Sequence, residues 1–193
     1  GAIADVTAVL EHSYRFDAAG GIGRLARAVN DGDAAAARAA LDAGDARVQV
    51  MACEARPGPQ QIETLAAGYH PLLDALAAGA GDATLLDMLE HYRVLCALRE
   101  GDFGVSGINR AIETALAAQG RIDSRRGPLC AGQPLLVTRN DHGLRLYNGD
   151  LGLVVDGPEG RLEVLFRGAG GSPRRLPPGR IPQHEAAFAM TIH

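Results

Sequence analysis

The middle of the chain combines an uninterrupted apolar run, a glycine turn and an apolar helical stripe. In RVLCALRE, residues 93–100, the five positions 94–98 are all apolar without alternation, which is typical of a central parallel strand buried on both faces. In GDFGVSGINRAIETALAAQG, which follows, Gly101 and Gly104 predict a tight turn and Ser106 a helix cap. The helix then carries an apolar stripe of Ile108, Ile112, Ala115 and Leu116. A strand, turn and helix in this order predict an α/β layer.

Further helices are predicted before this stretch. GIGRLARAVNDGD predicts a helix ending near Gly32, and DAAAARAALDAG predicts a second helix closed by Gly44. RVQVMAC, residues 47–53, alternates and is rich enough in β-branched residues to predict a strand. QIETLAAGYHPLLDALAAG predicts a helix interrupted at its GYHP sequence. DATLLDMLEHY predicts another helix, with Asp82 or Thr84 as its cap.

The pattern changes at about residue 121. A polar loop is followed by short strands separated by turn residues, in QPLLVTR, DLGLVVD, RLEVLFRG, RRLPPGRI and EAAFAMTIH. NGD at 148–150 predicts a hairpin turn, because asparagine and glycine accept the positive φ that such turns require. Several short strands at a spacing of about ten residues favour a small β-barrel.

The basic residues are informative in type and in position. All 19 are arginine, so the chain lacks the lysine of the phosphate-binding loop G-x-x-x-x-G-K-[ST]. Residues 1–120 contain 9 arginines against 16 acidic residues, whereas residues 121–180 contain 10 against 6. An acidic first part with a basic second part fits a protein that presents one face to a polyanion.

Several classes of protein are disfavoured. Cys53, Cys96 and Cys130 are odd in number and far apart, which supports neither a disulfide framework nor a cysteine zinc site. There is no apolar run of the roughly 18 residues that a membrane span needs, and no secretory signal pattern. We therefore expect a cytoplasmic protein without membrane partners and, at 193 residues, one or two domains.

Five segments in a single order resemble one protein family. HSYRF, GIGRLARAVNDGD, VLCALREGDFGVSGIN, VTRNDHGLRLYNGDLGLV and PQHEAAFAMTIH are similar to the RecD family of superfamily 1 DNA helicases, the alpha chain of exonuclease V. The resemblance implies a P-loop NTPase type of fold in which 1–130 form part of the second RecA-like motor domain. It further implies an inserted SH3-like β-barrel over 131–183 and a return strand over 184–193.

The resemblance also implies nucleotide and DNA sites. Tyr14 and Arg15 belong to a block at the nucleotide, where Arg15 would act as an arginine finger on the γ-phosphate of ATP. Thr191 and His193 begin a T-[VI]-H-K-[SA]-Q-G block that lines the DNA path, and the chain stops at His193. We therefore expect a fragment that alone binds no ATP or Mg²⁺ and is inactive. The intact protein is expected to use both cofactors for 5′ to 3′ translocation in double-strand break repair and recombination.

Two sets of residues are candidates for contact with single-stranded DNA. The first is a set of polar residues in the predicted barrel that would face phosphates, namely Arg139, Asn140, Arg145, Arg174 and Arg175. The second is Gly104 and Asn109, at a helix N-terminus whose backbone amides could bind phosphate. Because Tyr147 and Phe166 are the only aromatic residues of the barrel before the return strand, base stacking is expected to contribute little.

The remaining expectations concern partners and alternatives. The resemblance implies two partner subunits in the exonuclease V complex, one of which supplies the nuclease. A non-catalytic adaptor, whose barrel binds a partner protein, is the alternative function. A metal hydrolase using His12, His184, Glu185 and His193 is disfavoured, because these residues lack H-E-x-x-H spacing, and no metal site is expected.

Overall fold

A computed structural model describes residue 17 and residues 19–191, which fall into two compact units with their boundary between Ala52 and Cys53. The first unit contains two helices, α1 (Gly21–Asn30) and α2 (Ala34–Asp42). Both end as predicted, since Gly32 and Gly44 follow them with φ near +70°, a left-handed conformation that favours glycine.

Two aspartates hold the helix starts of the first unit. Asp33 accepts the backbone N–H of Ala36 at 2.9 Å, which caps α2 in the usual way. Asp45 lies beyond α2 in sequence but accepts the N–H of Gly21, the first residue of α1, at 2.8 Å. A Cβ on Gly21 would lie 2.5 Å from Cγ of Asp45, so this approach requires glycine. Asp45 thus caps α1 from a distance of 24 residues along the chain.

The prediction of a strand over 47–53 is wrong. This stretch has no regular structure, and the side chains of Val50 and Met51 are exposed. Among the described residues no strand pairs with it. An alternating pattern is stable as a strand only when a neighbouring strand accepts its backbone hydrogen bonds.

The second unit contains four helices, of which three precede its first strand and one follows it. They are α3 (Pro59–Ala67), α4 (His70–Ala77), α5 (Asp82–His91) and α6 (Val105–Ala118). The predicted interruption at GYHP is confirmed, because α3 and α4 are separate helices. Neither predicted cap of α5 is formed: Gly81 occupies the cap position and Asp82 is the first helical residue. The helices share a core that includes Ala66, Leu72, Leu85, Ile112 and Leu116.

Five strands form an antiparallel sheet in the order β5-β4-β3-β2-β6. They are β2 (Pro134–Val137), β3 (Leu151–Asp156), β4 (Leu162–Arg167), β5 (Pro173–Leu176) and β6 (His184–Ala186). One face joins the helical core through Leu153, Val155 and Leu165. The other face forms a second core with Leu135, Val137, Val154, Val164, Phe166 and Leu176. The predicted mixture of helices with a late all-β segment is confirmed.

The prediction of a closed barrel is wrong for the described residues, because β5 and β6 are the two edges of an open sheet. Pro177 and Pro178 follow β5 directly and lack the N–H groups that would extend its ladder. A short 3-10 turn, Pro178–Arg180, then leads toward β6. The proline pair therefore ends β5 before it can close on β6.

The apolar run after α5 forms a short strand, β1 (Val94–Cys96), which pairs in parallel with β7 (Ala189–Thr191). Parallel pairing was predicted, but burial on both faces was not correct, because Leu95 is 55% exposed. The closing segment also forms two strands, β6 and β7, instead of one. Only residues 187 and 188 separate them, so the chain passes directly from the five-stranded sheet into β7, the partner of β1.

Candidate nucleic-acid interface

A thirteen-residue loop, residues 138–150, the β2–β3 loop, connects β2 to β3. Asp141 and Leu146 exchange two backbone hydrogen bonds across it, with N···O distances of 2.7 and 3.0 Å. The carboxylate of Asp141 also accepts the N–H of Leu144 at 2.8 Å. The loop is therefore folded back on itself and internally bonded.

The second half of the β2–β3 loop is held by two more side chains. The Asp150 carboxylate accepts the N–H of Tyr147 at 2.8 Å, and the Asn140 amide oxygen accepts the N–H of Asn148 at 2.7 Å. Gly149 has φ +99°, so the chain turns here as predicted. The turn lies at the end of the thirteen-residue loop, however, and is not by itself a two-residue hairpin between β2 and β3. Asn140, a predicted DNA contact, thus has its side-chain oxygen engaged within the loop.

Arg139 and Arg145 are exposed on this loop. Neither guanidinium makes an ion pair with another residue in the described part of the chain. Arg145 also has φ +52°, a left-handed conformation that costs a non-glycine residue about 1–2 kcal/mol. Local strain of this kind is concentrated at binding and catalytic sites. Since both side chains are exposed and unpaired among the described residues, both positive charges are available to a ligand.

The other two predicted phosphate contacts of the sheet are used inside the fold. Arg175 forms a bidentate pair with Asp82 of α5, at 2.6 and 2.8 Å, and reaches Glu163 at 3.3 Å. Hydrogen bonding to Asp82 raises the pKa of Arg175 further above its ordinary value. Arg174 donates to the backbone oxygen of Leu144 in the β2–β3 loop. Arg174 and Arg175 hold the sheet to its neighbours and are not free for DNA.

A second arginine of the sheet is also neutralised by α5. Arg167, at the end of β4, lies 2.7 Å from Asp87 and 3.0 Å from Glu90. Hydrogen bonding to Asp87 raises the pKa of Arg167. Acidic residues of α5 thus neutralise part of the positive charge that the sequence concentrates after residue 121. Fewer arginines are therefore unpaired than the composition indicates, and those of the β2–β3 loop are among them.

The two aromatic residues of the sheet segment differ in exposure. Phe166 is 1% exposed, within the second core. Tyr147, in the β2–β3 loop, is 46% exposed and contacts His142 edge to face, with ring centroids 5.9 Å apart. Of these two rings, Tyr147 is the one accessible to a base. The sequence did not single out His142, although its place among Asn140, Asp141 and Gly143 marks a turn-rich loop.

The amides at the start of α6 are already bonded. The N–H of Gly104 donates to the backbone oxygen of Gly101 at 3.0 Å, and that of Val105 to Leu98 at 3.0 Å. A Cβ on Gly104 would lie 2.4 Å from the backbone oxygen of Glu100, which explains the glycine. Phosphate binding at Gly104, which the sequence predicted, would have to displace these bonds. Gly104 is therefore not part of the proposed interface.

Asn109 has a structural role in the fold. Its side chain is 7% exposed and bonds to both backbone groups of Ala189 in β7, at 2.8 and 3.0 Å. Its amide nitrogen also donates to the backbone oxygen of Val105 at 2.9 Å. The predicted DNA contact through Asn109 is therefore replaced by a clamp between α6 and β7.

The remaining predicted site residues lie at the two ends of the chain. Thr191 is the last residue of β7, in register with Cys96 of β1, and is partly buried. Tyr14, Arg15 and His193 lie outside the described residues. The relation of the predicted arginine finger to the β7 end therefore stays a prediction.

The described residues form neither a metal site nor a membrane-spanning helix. Across residues 19–191 no group of three or more histidine, cysteine or acidic side chains could hold a metal ion. His184 bonds to the backbone oxygen of Pro182 at 2.7 Å, and Glu185 pairs with Arg99 at 2.9 Å. None of the described helices has the length and apolar character needed to cross a bilayer.

No family model matches the chain. It is 40% identical over 188 residues to the RecBCD enzyme subunit RecD of Mycobacterium tuberculosis, a match that covers 97% of the chain and 32% of that protein. The resemblance to RecD is confirmed. RecD of Mycolicibacterium smegmatis is 37% identical over 186 residues, covering 96% of the chain and 32% of the relative. The ATP-dependent RecD2 DNA helicase of Deinococcus radiodurans is 26% identical over 102 residues, covering 52% of the chain and 14% of that protein. The chain spans about a third of the length of the RecD relatives it matches.

Proposed function

We propose that this chain is part of an ATP-dependent 5′ to 3′ DNA helicase subunit of the exonuclease V type, acting in double-strand break repair and recombination. Its similarity to RecD extends over 97% of its length. The helicase activity is supported by the name of the Deinococcus radiodurans relative. The proposed partners are single-stranded DNA and the other two subunits of the complex, and the proposed location is the cytoplasm.

The proposed motor chemistry depends on residues from the first block of the chain. Arg15 would stabilise the charge that develops on the transferred γ-phosphate, and Tyr14 would lie beside the nucleotide. ATP and Mg²⁺ are the cofactors proposed for the intact protein. The proposal for both residues rests on the HSYRF block, because they lie outside the described part of the chain.

The proposed architecture has a RecA-like layer and an SH3-like insertion over 131–183. The strand order β5-β4-β3-β2-β6 and the 3-10 turn before β6 support an SH3-like arrangement of this open sheet. The passage from β6 to β7, which pairs with β1, supports a return strand over 184–193. Parallel pairing of β1 with β7, next to α6, is consistent with a RecA-like layer.

The β2–β3 loop is the proposed contact with single-stranded DNA. The observation that carries this proposal is that Arg139 and Arg145 stay exposed and unpaired within the described residues, on an internally bonded loop. Guanidinium groups bind phosphate oxygens and release counterions, which makes the affinity dependent on salt. Thr191 at the end of β7, with His193 beyond it, is proposed to face the same DNA.

Fluorescence anisotropy with a labelled oligothymidine at several salt concentrations tests the loop. We expect Arg139→Gln/Arg145→Gln to weaken binding and to lower the slope of log K against log salt by about 1.4, or about 0.7 for each phosphate that is no longer neutralised. Arg161→Gln is the matched control, because Arg161 is also exposed but lies in the turn that follows β3, at the opposite end of that strand. Its affinity and slope should equal those of the unmodified chain.

Two results would refute a DNA-facing loop. The first is absence of binding by the unmodified chain at low salt. The second is an equal change in slope for Arg161→Gln and the double variant. Binding to a partner protein without salt-dependent affinity for single-stranded DNA would instead support the adaptor function.

A further inference from the structure

We propose that Tyr147 is a base-stacking residue, so that the β2–β3 loop holds a nucleotide by its base as well as by its phosphate. This inference rests on the proposed DNA binding of the same loop. It differs from the expectation based on composition, in which stacking contributed little. The deciding features are the exposure of Tyr147, the way its ring is supported and the charges around it.

The ring of Tyr147 is supported and about half exposed. It is 46% exposed, whereas Phe166 and Phe188 of the same unit are 1% and 0% exposed. Its contact with His142 is edge to face, with an interplanar angle of 71°, and among the described residues no ring is stacked flat against it. An aromatic ring that is about half exposed and lacks a stacked partner can receive the flat face of a base.

The backbone around Tyr147 is already ordered. Its own N–H is bonded to Asp150, and the N–H of the next residue is bonded to Asn140, at 2.8 and 2.7 Å. The contact with His142 adds a support for the side chain itself. Binding to a preformed ring avoids much of the entropy that ordering a mobile side chain would cost.

The charges of the loop favour a nucleic acid over a peptide. Arg139 and Arg145 are exposed and have no acidic partner among the described residues. The two carboxylates of the loop, Asp141 and Asp150, are partly buried and accept backbone N–H groups. Exposed cations on the same loop as an exposed ring suit a single strand, in which phosphates and bases alternate.

Stacking of this kind tolerates any base, because every base has an aromatic face. We therefore expect Tyr147 to increase affinity for single strands without selecting a sequence. Removal of the ring should lower the affinity about 5- to 10-fold, toward the lower end of the effect of one stacked base, because the ring is already partly covered.

The test compares two oligonucleotides of equal length, one with bases and one with abasic sites, for the unmodified 193-residue chain, Tyr147→Phe and Tyr147→Ala. We expect the unmodified chain and Tyr147→Phe to prefer the base-bearing strand about 5- to 10-fold. Tyr147→Ala should lose this preference, so that any remaining difference in affinity reflects only differences between the two backbones. The far-ultraviolet circular dichroism and thermal midpoint of each variant verify that it is folded.

The possible failures are distinct. If the unmodified chain binds both strands with the same salt-dependent affinity, the stacking role is overturned while the phosphate-binding loop stands. If it binds neither strand, both proposals fall. If Tyr147→Ala keeps the full preference for the base-bearing strand, the base lies elsewhere on the protein. A proline-rich peptide is a further probe. If it binds the unmodified chain, and Tyr147→Ala loses that binding while DNA binding is unchanged, the ring serves a peptide site and the proposal is overturned.

Discussion

Asn109 of α6 holds Ala189 of β7 by both of its backbone groups. The side-chain amide donates to the Ala189 oxygen at 2.8 Å, and the side-chain oxygen accepts the Ala189 N–H at 3.0 Å. The two residues are 80 positions apart in the sequence. This clamp fixes the strand that ends at Thr191, where the proposed DNA contacts of the closing block begin.

Replacing Asn109 with alanine should destabilise the second unit strongly. Both backbone groups of Ala189 would lose their side-chain partner in a buried environment, and we expect a loss of about 2–4 kcal/mol in the free energy of unfolding. Urea unfolding followed by circular dichroism measures it. Thr114→Ala on the exposed side of the same helix is the control and should change the value by less than about 0.5 kcal/mol. Equal effects of the two substitutions would contradict the clamp.

The pair between Arg175 and Asp82 should make stability depend on pH. The hydrogen bond from Arg175 lowers the pKa of Asp82, so its carboxylate stabilises the folded state at any pH above the ordinary aspartate pKa of about 4. That contribution decreases as the pH falls below about 4, where the aspartate of the unfolded chain takes up a proton, and it is lost once the pH has also passed the lowered pKa of Asp82 in the folded chain. We expect Arg175→Gln to destabilise the chain by about 1 kcal/mol at pH 7, since the pair is partly exposed, and by less at pH 3.

Urea unfolding of Arg175→Gln at both pH values tests this expectation. Arg161→Gln, which removes a largely exposed pair with Glu159, should have little effect at either pH. The difference in unfolding free energy between Arg175→Gln and the unmodified chain should shrink at pH 3. An increase at pH 3 would contradict the expected pH dependence.

Replacing Asp45 with asparagine should loosen the start of α1. Hydrogen bonding to Arg47 keeps the pKa of Asp45 well below its usual range, so the carboxylate stays charged at neutral pH and accepts the Gly21 N–H. We expect faster hydrogen exchange at the backbone amide of Gly21 in Asp45→Asn, measured by NMR. Asp42→Asn, at the exposed end of α2, is the control and should leave this exchange rate unchanged. The same acceleration in both variants would argue against a long-range cap.

Gly107→Ala should destabilise the junction between β1 and α6. A Cβ at this position would lie 2.4 Å from the backbone oxygen of Gly101, and the loop would have to move away from the helix. Such overpacking costs about 1–3 kcal/mol, of which the higher helix propensity of alanine offsets up to about 1 kcal/mol. In Gly179→Ala the added Cβ meets nothing within 4 Å, so its unfolding free energy should be nearly unchanged. Urea unfolding measures the unfolding free energy of both variants. Equal values for Gly107→Ala and Gly179→Ala would contradict the close approach.

Arg15→Ala in the full-length subunit should reduce ATP hydrolysis. If Arg15 acts as an arginine finger, kcat should fall about 10³- to 10⁵-fold, because charge on the transferred phosphoryl group would be left without its guanidinium. Binding of a fluorescent ATP analogue should be affected much less. A parallel loss of binding and turnover would assign Arg15 to ground-state binding, and unchanged turnover would exclude it from catalysis.

The helices could be predicted from the sequence, because their signals are local. Gly32 and Gly44 were predicted to end α1 and α2, and the GYHP sequence to divide α3 from α4, as observed. The failed predictions involve pairing between distant segments. A strand over 47–53 and a closed barrel both require a backbone partner that local sequence does not specify.

The candidate site was predictable only in part. Composition placed excess arginine after residue 121, but it did not show that Arg167, Arg174 and Arg175 are engaged within the fold. Asn109 was expected at a DNA surface and is instead buried against β7. The side chains that stay available are those of the β2–β3 loop, in particular Arg139, Arg145 and Tyr147.

By itself, the sequence determined the helices, most of the short strands and the resemblance to RecD, since these depend on neighbouring residues and on the order of segments. The tertiary structure alone decided which charges are neutralised. Asp82 and Arg175 are 93 residues apart, and whether they meet depends on how the sheet packs against α5. Electrostatic attraction and hydrogen bonding act over a few ångströms in space, so their partners are set by packing and not by position along the chain.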